Sequence, residues 1–345
     1  ILKLTNKDYN DNGLSELITL YGSAYNVNIK IFNDLQHTIT GWPGGKPNAD
    51  DSNRPERAKP YPKRVIIFSP HPDDDVISMG GTFQRLVNQG HDVHVAYQTS
   101  GNIAVGDEEV IRYLSVFKNL IKEFEPTNST ALNKLSNILH HLFHEKGVDD
   151  IDTPEVRFLK GRIRREEARS ADRYVGLPHS HVHFLDLPFY ETGRVKKDPI
   201  SEKDVVIVKD FIESIKPHQI YVAGDLADPH GTHKVCFDII VAALEQLKNE
   251  DWIKDCWLWM YRGAWHEFET HEIQMAVPLS PQEVERKRFA IFKHQSQKDR
   301  PVFPGDDSRE FWVRAEDRTR ETARSYDRLG FAEYGREREA LCVNG

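Results

Sequence analysis

The chain has 345 residues, 39% hydrophobic and 29% charged, with a formal net charge of −8. This is the composition of an ordinary globular protein with a sizeable core. The acidic balance argues against nucleic acid as the main partner, because there is no basic excess to displace counterions. No apolar run is long enough for a membrane span and no signal-like segment opens the chain.

Three widely spaced cysteines, Cys236, Cys256 and Cys342, fit a reducing, cytoplasmic compartment better than a disulfide framework or a cysteine zinc site. Residues 1 to about 38 carry one helix-like pattern, Leu14, Leu17, Ile18 and Tyr21, and then a β-rich piece from Val27 to Phe32. Pro43, Pro47, Pro55, Pro60 and Pro62 follow among many charges. Residues 1–62 therefore read as an appendage and proline-rich linker, and 63–345 as the main domain.

The stretch from Arg64 to Thr82 organises that domain. Val65 to Phe68 is a short, continuous apolar strand of the kind buried on both faces of a parallel sheet. A polar turn, Pro70-His71-Pro72-Asp73-Asp74-Asp75, leads to Gly80-Gly81 and the helical run Phe83, Leu86, Val87. Packing three carboxylates beside one imidazole is costly without a counter-charge, and a divalent cation removes the cost. Imidazole with carboxylate suits zinc, and the prolines stiffen the loop. Taken alone, the loop reads equally well as an acidic turn whose aspartates cap the next helix.

His91 to Tyr97 is a second strand, ending in Gln98-Thr99-Ser100-Gly101-Asn102. Ser100 and Asn102 are small polar residues that suit a sugar, or ordinary turn chemistry. Residues 107–146 form two helical patterns, an insertion at about 105–150 placed to flank a pocket. His140 and His144 are spaced i,i+4 there with no glutamate between them, which favours a solvated face over a zinc helix. A helix runs from Arg162 to Val175 and stops at Gly176. His179, His181 and His183 then alternate along a strand pattern. They are a rival metal constellation, though a polar strand face under a helix explains them more simply.

Ser201 caps a helix through Ile215, which Pro217 stops. Gln219 to Ala223 is another apolar strand, and Gly224-Asp225-Leu226-Ala227-Asp228-Pro229-His230-Gly231-Thr232-His233 follows before a helix to Leu247. If this strand and the first are parallel neighbours, both loops open at one sheet edge. His71, Asp74 and one of His230 and His233 can then converge as a three-ligand open site. A strand from Cys256 to Tyr261, a helix from Ser280-Pro281 to about His294 and an arginine-rich helix from Asp307 to Gly330 complete the chain. The arginines read as a salt-bridged face or, for one or two of them, as phosphate donors. Alternation of strands and helices predicts an α/β fold: a three-layer α/β/α, Rossmann-like, mostly parallel sheet.

PHPDD after the first strand, with a His-x-x-His about a domain's length later, resembles the LmbE/PIG-L-like zinc-dependent N-deacetylases. Arg164-Arg165-Glu166-Glu167-Ala168-Arg169-Ser170-Ala171 resembles the family's R-x-x-E-x-x-x-A helix, and His294-Gln295-Ser296-Gln297 its late H-x-S-Q stretch. The resemblance implies His71, Asp74 and His233 as ligands of Zn2+ or another divalent cation. It implies Asp73 as general base, His230 as the group that stabilises the oxyanion or protonates the leaving amine, and Arg164 as a substrate-holding residue. Asp75 lies where the family usually has Glu, and Phe189-Tyr190 where it often has Asp-Gly.

The expected activity is removal of an N-acetyl group from a small amino-sugar substrate of the N-acetylglucosamine type, free, phosphorylated or conjugated. The segment from Gly41 to Arg57 also resembles the joint in two-part bacterial proteins in which a glucosamine-6-phosphate deaminase domain precedes a deacetylase-like one. A non-catalytic sugar-phosphate-binding domain of such a fusion is the alternative. A magnesium phosphohydrolase is a second, disfavoured by the paired histidines. Nothing in the sequence excludes a homo-oligomer.

Overall fold

The computed structural model describes residues 15–49, 52, 59–147, 150–192, 194, 196–227, 231–263, 265–298, 307, 309–331 and 337–343. The strands are β1 (Arg64–Ser69), β2 (Asp92–Tyr97), β3 (Val182–Phe184), β4 (Gln219–Ala223), β5 (Trp257–Tyr261), β6 (Met275–Leu279) and β7 (Glu337–Val343). They form one sheet in the order β3-β2-β1-β4-β5-β7-β6. The first five are parallel, while β7 runs antiparallel to both β5 and β6.

The helices are α1 (Ser15–Tyr21), α2 (Ala24–Thr38), α3 (Asp74–Asn88), α4 (Asp107–Phe124), α5 (Ser129–His140), α6 (Pro154–Val175), α7 (Glu202–Ile215), α8 (Thr232–Leu247), α9 (Pro281–Ile291) and α10 (Phe311–Arg328). Val65 and Ile67 on one sheet face pack with Phe83, Leu86 and Val175, and on the other Ile66 and Phe68 pack with Val208, Ile212, Ile239 and Ile240. This gives the expected three layers, with a core on each side of a sheet buried on both faces. No helix among the described residues is long and apolar enough to cross a membrane.

β1 is hydrogen-bonded to β2 on one side and β4 on the other, in register Val65 with Val93 and with Gln219. The chain winds outward from β1 in both directions, so the loops after β1 and β4 flank a topological switch point. Open α/β sheets bind ligands at that position.

Two sequence expectations change. Val27 to Phe32 is helical, not β-rich, and belongs to α2. Ser23 caps this helix by accepting from the Asn26 amide at 3.1 Å. Its apolar residues recur every four, Val27, Ile31 and Leu35, and Phe32 stacks on Phe331 with ring centroids 4.5 Å apart. Tertiary packing there overrides a β-branched composition. His179 to His181 is a turn of 3-10 helix, so only His183 lies in β3 and the three histidines share no strand face.

Four of the tail arginines pair with carboxylates, the salt-bridged face that the sequence favours, while Arg314 and Arg318 donate to the Arg309 and Gly263 carbonyls. Arg309 pairs with Asp307 and Asp317, Arg320 with Asp317 and Glu316, and Arg324 and Arg328 with Glu321.

β6 and β7 had no clear sequence signal, and β7 explains why. Arg338 and Glu339 are charged, yet fully buried. Arg338 donates to the Ala323 carbonyl at 2.9 Å and lies over the Tyr326 ring. Glu339 receives Lys287 Nζ at 2.7 Å and the amides of Gly81 and Thr82 at 2.8 and 2.6 Å. Those two amides are free because α3 kinks at Met79, whose φ/ψ of −129/26 leaves the helical region. Gly81 also allows a close approach: a Cβ there would lie 2.5 Å from the Leu279 methyls. A buried carboxylate stripped of its cation is strongly destabilising. Lys287→Met is expected to cost about 3–5 kcal/mol in urea unfolding, and Lys287→Met/Glu339→Gln to recover part of it. Wild-type stability in the single variant would refute this account of the kink.

Candidate active site

Ser69 ends β1, and Pro70 to Asp73 turn the chain directly into α3. Asp73 sits at φ 134° and ψ −25°, a region that costs an L-residue about 1–3 kcal/mol and is met mostly at functional sites. Its carbonyl accepts from the Ile77 amide at 2.9 Å. The preceding carbonyl, Pro72 O, accepts from Arg164 Nη2. The same guanidinium lies 3.2 Å from Asp73 Oδ1. Gly101, at φ 65°, makes room for this arginine: a Cβ there would meet Arg164 Nε and Pro72 Cδ at 3.1 Å.

Asp74, in the first turn of α3, is the hub. Its Oδ2 accepts from the His71 amide at 2.9 Å, and lies 3.1 Å from His71 Nδ1 and 3.2 Å from His233 Nε2. The His71 and His233 rings are 5.4 Å apart. His71, Asp74 and His233 each offer a ligand atom, all within 4.8 Å of one another. His233 enters from the first turn of α8, after the β4 loop, with Gly231 at φ 66° preceding it. Burial tends to raise the Asp74 carboxyl, but the two imidazoles outweigh it and hold the group well below the usual carboxylate range. Burial lowers His71 against the pull of Asp74. Two imidazoles and an ionised carboxylate, fixed by the fold before any ion arrives, are a donor set suited to zinc.

Asp75 points beneath the site. Its amide donates to Ser69 Oγ at 3.1 Å, and Tyr97 OH lies 3.1 Å both from Asp75 Oδ2 and from Asp172 Oδ1. One phenol proton can serve only one carboxylate. Burial, the largest influence, pushes Asp75 up to about 6 and Asp172 well above its ordinary value. The pair is therefore a buried, proton-sharing brace that joins α3 to α6 through Tyr97 of β2.

Arg164, Ser100 and Asn102 come to the same rim. Arg164 is buried, and its Nε and Nη1 find no hydrogen-bond partner among the described residues. Ser100 Oγ and Asn102 Nδ2 both donate to Glu191 at 3.0 Å. They border a groove that also carries Arg157, Phe158 and Arg165. The expected catalytic His230 lies outside the described residues. The rival trio does not assemble: His179 is exposed, and His181 and His183 lie on β3 and the turn before it.

Sequence reasoning assigned no role to several further neighbours. Glu167 accepts from the Ser296 amide and hydroxyl, both at 2.7 Å, tying α6 to the His294–Gln297 segment. His294 shares a narrow cavity with Asp73 and Gln297. It is buried, neither ring nitrogen has a hydrogen-bond partner among the described residues, and burial lowers it well below an ordinary imidazole. The Tyr190 ring meets that of His71 edge-on at 5.8 Å. The R-x-x-E-x-x-x-A helix was the available signal for Glu167, and the H-x-S-Q string for His294.

The sequence profile of the PIG-L family, GlcNAc-PI de-N-acetylase, matches residues 66–244, which is the span from β1 to α8 that builds this site. The chain belongs to the PIG-L family. It is 62% identical over 336 residues to a glucosamine-6-phosphate deaminase-like protein of Bacteroides thetaiotaomicron, covering 97% of this chain and 51% of that protein. The chain thus spans about half the length of that relative. It is 23% identical over 197 residues to diacetylchitobiose deacetylase of Thermococcus kodakarensis, 54% of this chain and 66% of that protein. A solved N,N'-diacetylchitobiose deacetylase from Pyrococcus horikoshii superposes with a TM-score of 0.49 at 18% identity, over 82% of this chain and 84% of that one.

In this PIG-L member the Asp73 carboxyl is pushed up to about 7, chiefly by burial and against the opposing charge of Arg164. The sign follows from linkage. Without metal, the folded chain holds a proton on Asp73 between about pH 4 and 7 that the unfolded chain has released, so this group lowers stability as pH rises through that window. Asp73→Asn is expected to stabilise the chelator-treated protein by about 2–4 kcal/mol at pH 8 and not at all near pH 4. Urea unfolding at both pH values measures this. An equal effect at both would show that Asp73 is not held protonated.

Proposed function

We propose that the chain is a metal-dependent N-deacetylase that hydrolyses the acetamide of an N-acetylglucosamine-type substrate. The observation that carries the reading is the meeting of His71, Asp74 and His233 from two loops, with Asp73 one residue from the hub. Membership of the PIG-L family and a relative named for deacetylating diacetylchitobiose support it. His71, Asp74 and His233 would hold Zn2+ or another divalent cation. Such an ion supplies Lewis acidity, polarising the acetyl carbonyl and easing deprotonation of a water.

The chain's own groups do the rest. Asp73 Oδ takes the proton from the attacking water, and must be ionised to do so; a cation close by favours that form. Arg164 fixes Asp73 by ion pair and its neighbour Pro72 by hydrogen bond, and its Nε and Nη1, without a partner among the described residues, remain for substrate. His230 is assigned by resemblance to the oxyanion or the leaving nitrogen, a role that suits a group titrating near neutrality. Ser100 and Asn102, anchored by Glu191, would border the remainder of a longer substrate.

The deciding experiment is a deacetylation assay on N-acetylglucosamine, its 6-phosphate and N-acetylglucosaminyl conjugates, with and without added zinc. Release of acetate from none of them would sink the proposal. Asp73→Asn is expected to keep its metal and lose about 10²–10⁴ in turnover. Native turnover there would remove Asp73 as base. His233→Ala should fold and lose the ion; full metal content by elemental analysis would exclude it as a ligand.

A further inference from the structure

A second cluster of nitrogen and oxygen donors lies at the far end of β2. Asp92 opens this strand and Tyr97 closes it at the active-site rim, so the two ends are about 17 Å apart at about 3.3 Å per residue. β3 is the edge strand and is only three residues long. His94 on β2, His183 on β3 and His181 just before β3 meet there. The rings of His94 and His181 stack with centroids 4.2 Å apart, and those of His94 and His183 lie at 5.3 Å. Asp92 Oδ1 is 3.4 Å from His94 Nε2 and 3.6 Å from His181 Nδ1. Among the described residues it has no lysine or arginine within ion-pair distance. Asp92, His94 and His181 each offer a ligand atom, all within 4.8 Å of one another.

We propose that Asp92, His94 and His181 form a second divalent transition-metal site, of the zinc class, that clips the edge strand β3 to β2. The hydrogen bonds around the imidazoles suit ligands. His181 Nδ1 lies 2.9 Å from the Val93 carbonyl, which can only accept; the proton is therefore on Nδ1, the nitrogen that also faces Asp92, and the lone pair is on Nε2, which reaches the ion when the ring turns about its Cβ–Cγ bond. His94 Nδ1 lies 3.1 Å from His183 Nε2. Donation from His94 to His183 leaves the Nε2 lone pair of His94 facing a carboxylate oxygen, two acceptors that a cation between them satisfies. Metal-bound histidines characteristically give their second N–H to a carbonyl or another acceptor in this way. Tetrahedral zinc with bonds of about 2.0–2.1 Å spaces its ligand atoms about 3.3–3.4 Å apart, close to the 3.4 Å between His94 Nε2 and Asp92 Oδ1, and all three side chains are partly exposed at the sheet edge, which leaves them room to adjust. Two imidazoles and one carboxylate favour zinc, nickel or copper over magnesium or calcium.

The test counts ions on the full chain, stripped with chelator, dialysed against Zn2+ and assayed by elemental analysis. Wild type is expected to hold two zinc ions per chain, His233→Ala one, His94→Ala/His181→Ala one, and the triple variant none. One ion in wild type and none in His233→Ala would overturn the proposal, as would an ion count in His233→Ala that the edge substitutions do not lower. If His233→Ala binds as many ions as wild type while the edge variant loses one, the edge site stands and the active-site ligand assignment fails instead. A second measurement covers an edge variant that does not fold: zinc should raise the melting temperature of His233→Ala by several degrees. Absence of any shift would also overturn the proposal.

Discussion

Three consecutive aspartates, Asp73, Asp74 and Asp75, are all buried, at 6%, 5% and 0% exposure. No fold can carry them there as three bare charges, and the surroundings treat each differently. Asp74 is ringed by His71 and His233 and stays ionised. Asp73 leans on Arg164 but is raised by burial, which leaves it near neutrality before any cation is present. Asp75 shares protons with Tyr97 and Asp172 inside the core. One short run of identical side chains thus yields an anionic hub, a titratable group and a structural brace. Divergent environments for adjacent carboxylates are how a site separates acid–base work from charge holding.

Much of this was readable because the relevant signals are local. Apolar runs such as Val65 to Phe68 and Gln219 to Ala223 mark buried parallel strands, and each is followed by a His/Asp loop. Pairing those two strands was the single long-range inference needed, and the sheet order provides it. The features that stayed hidden depend on distant partners. The charges of Arg338 and Glu339 disguise β7 because their counterparts, Ala323, Lys287 and the α3 kink, lie 15 to 258 residues away along the chain. The histidines near β3 were read along one strand, whereas His94 comes from the neighbouring one. A period-two pattern cannot show a cross-strand cluster.

The family profile ends at residue 244, yet the loops it covers are braced by elements C-terminal to that point. Glu339 of β7 accepts from the Gly81 and Thr82 amides just past the kink at Met79, four residues after Asp75, and so fixes the helix whose first turn presents Asp74. Ser296 holds Glu167 one turn along α6 from Arg164. Gln297 reaches the Ala104 carbonyl, just beyond the Ser100–Asn102 segment. These contacts are buried or part-buried and largely charge-assisted, the class of hydrogen bond that is strongest and most costly to break. Fixing donors to within about half an ångström demands such outer support. The candidate site and its scaffold are therefore separate in sequence: β1 to α8 carries His71, Asp73, Asp74, Arg164 and His233, and α9 to β7 supplies the rigidity that holds their helices in place.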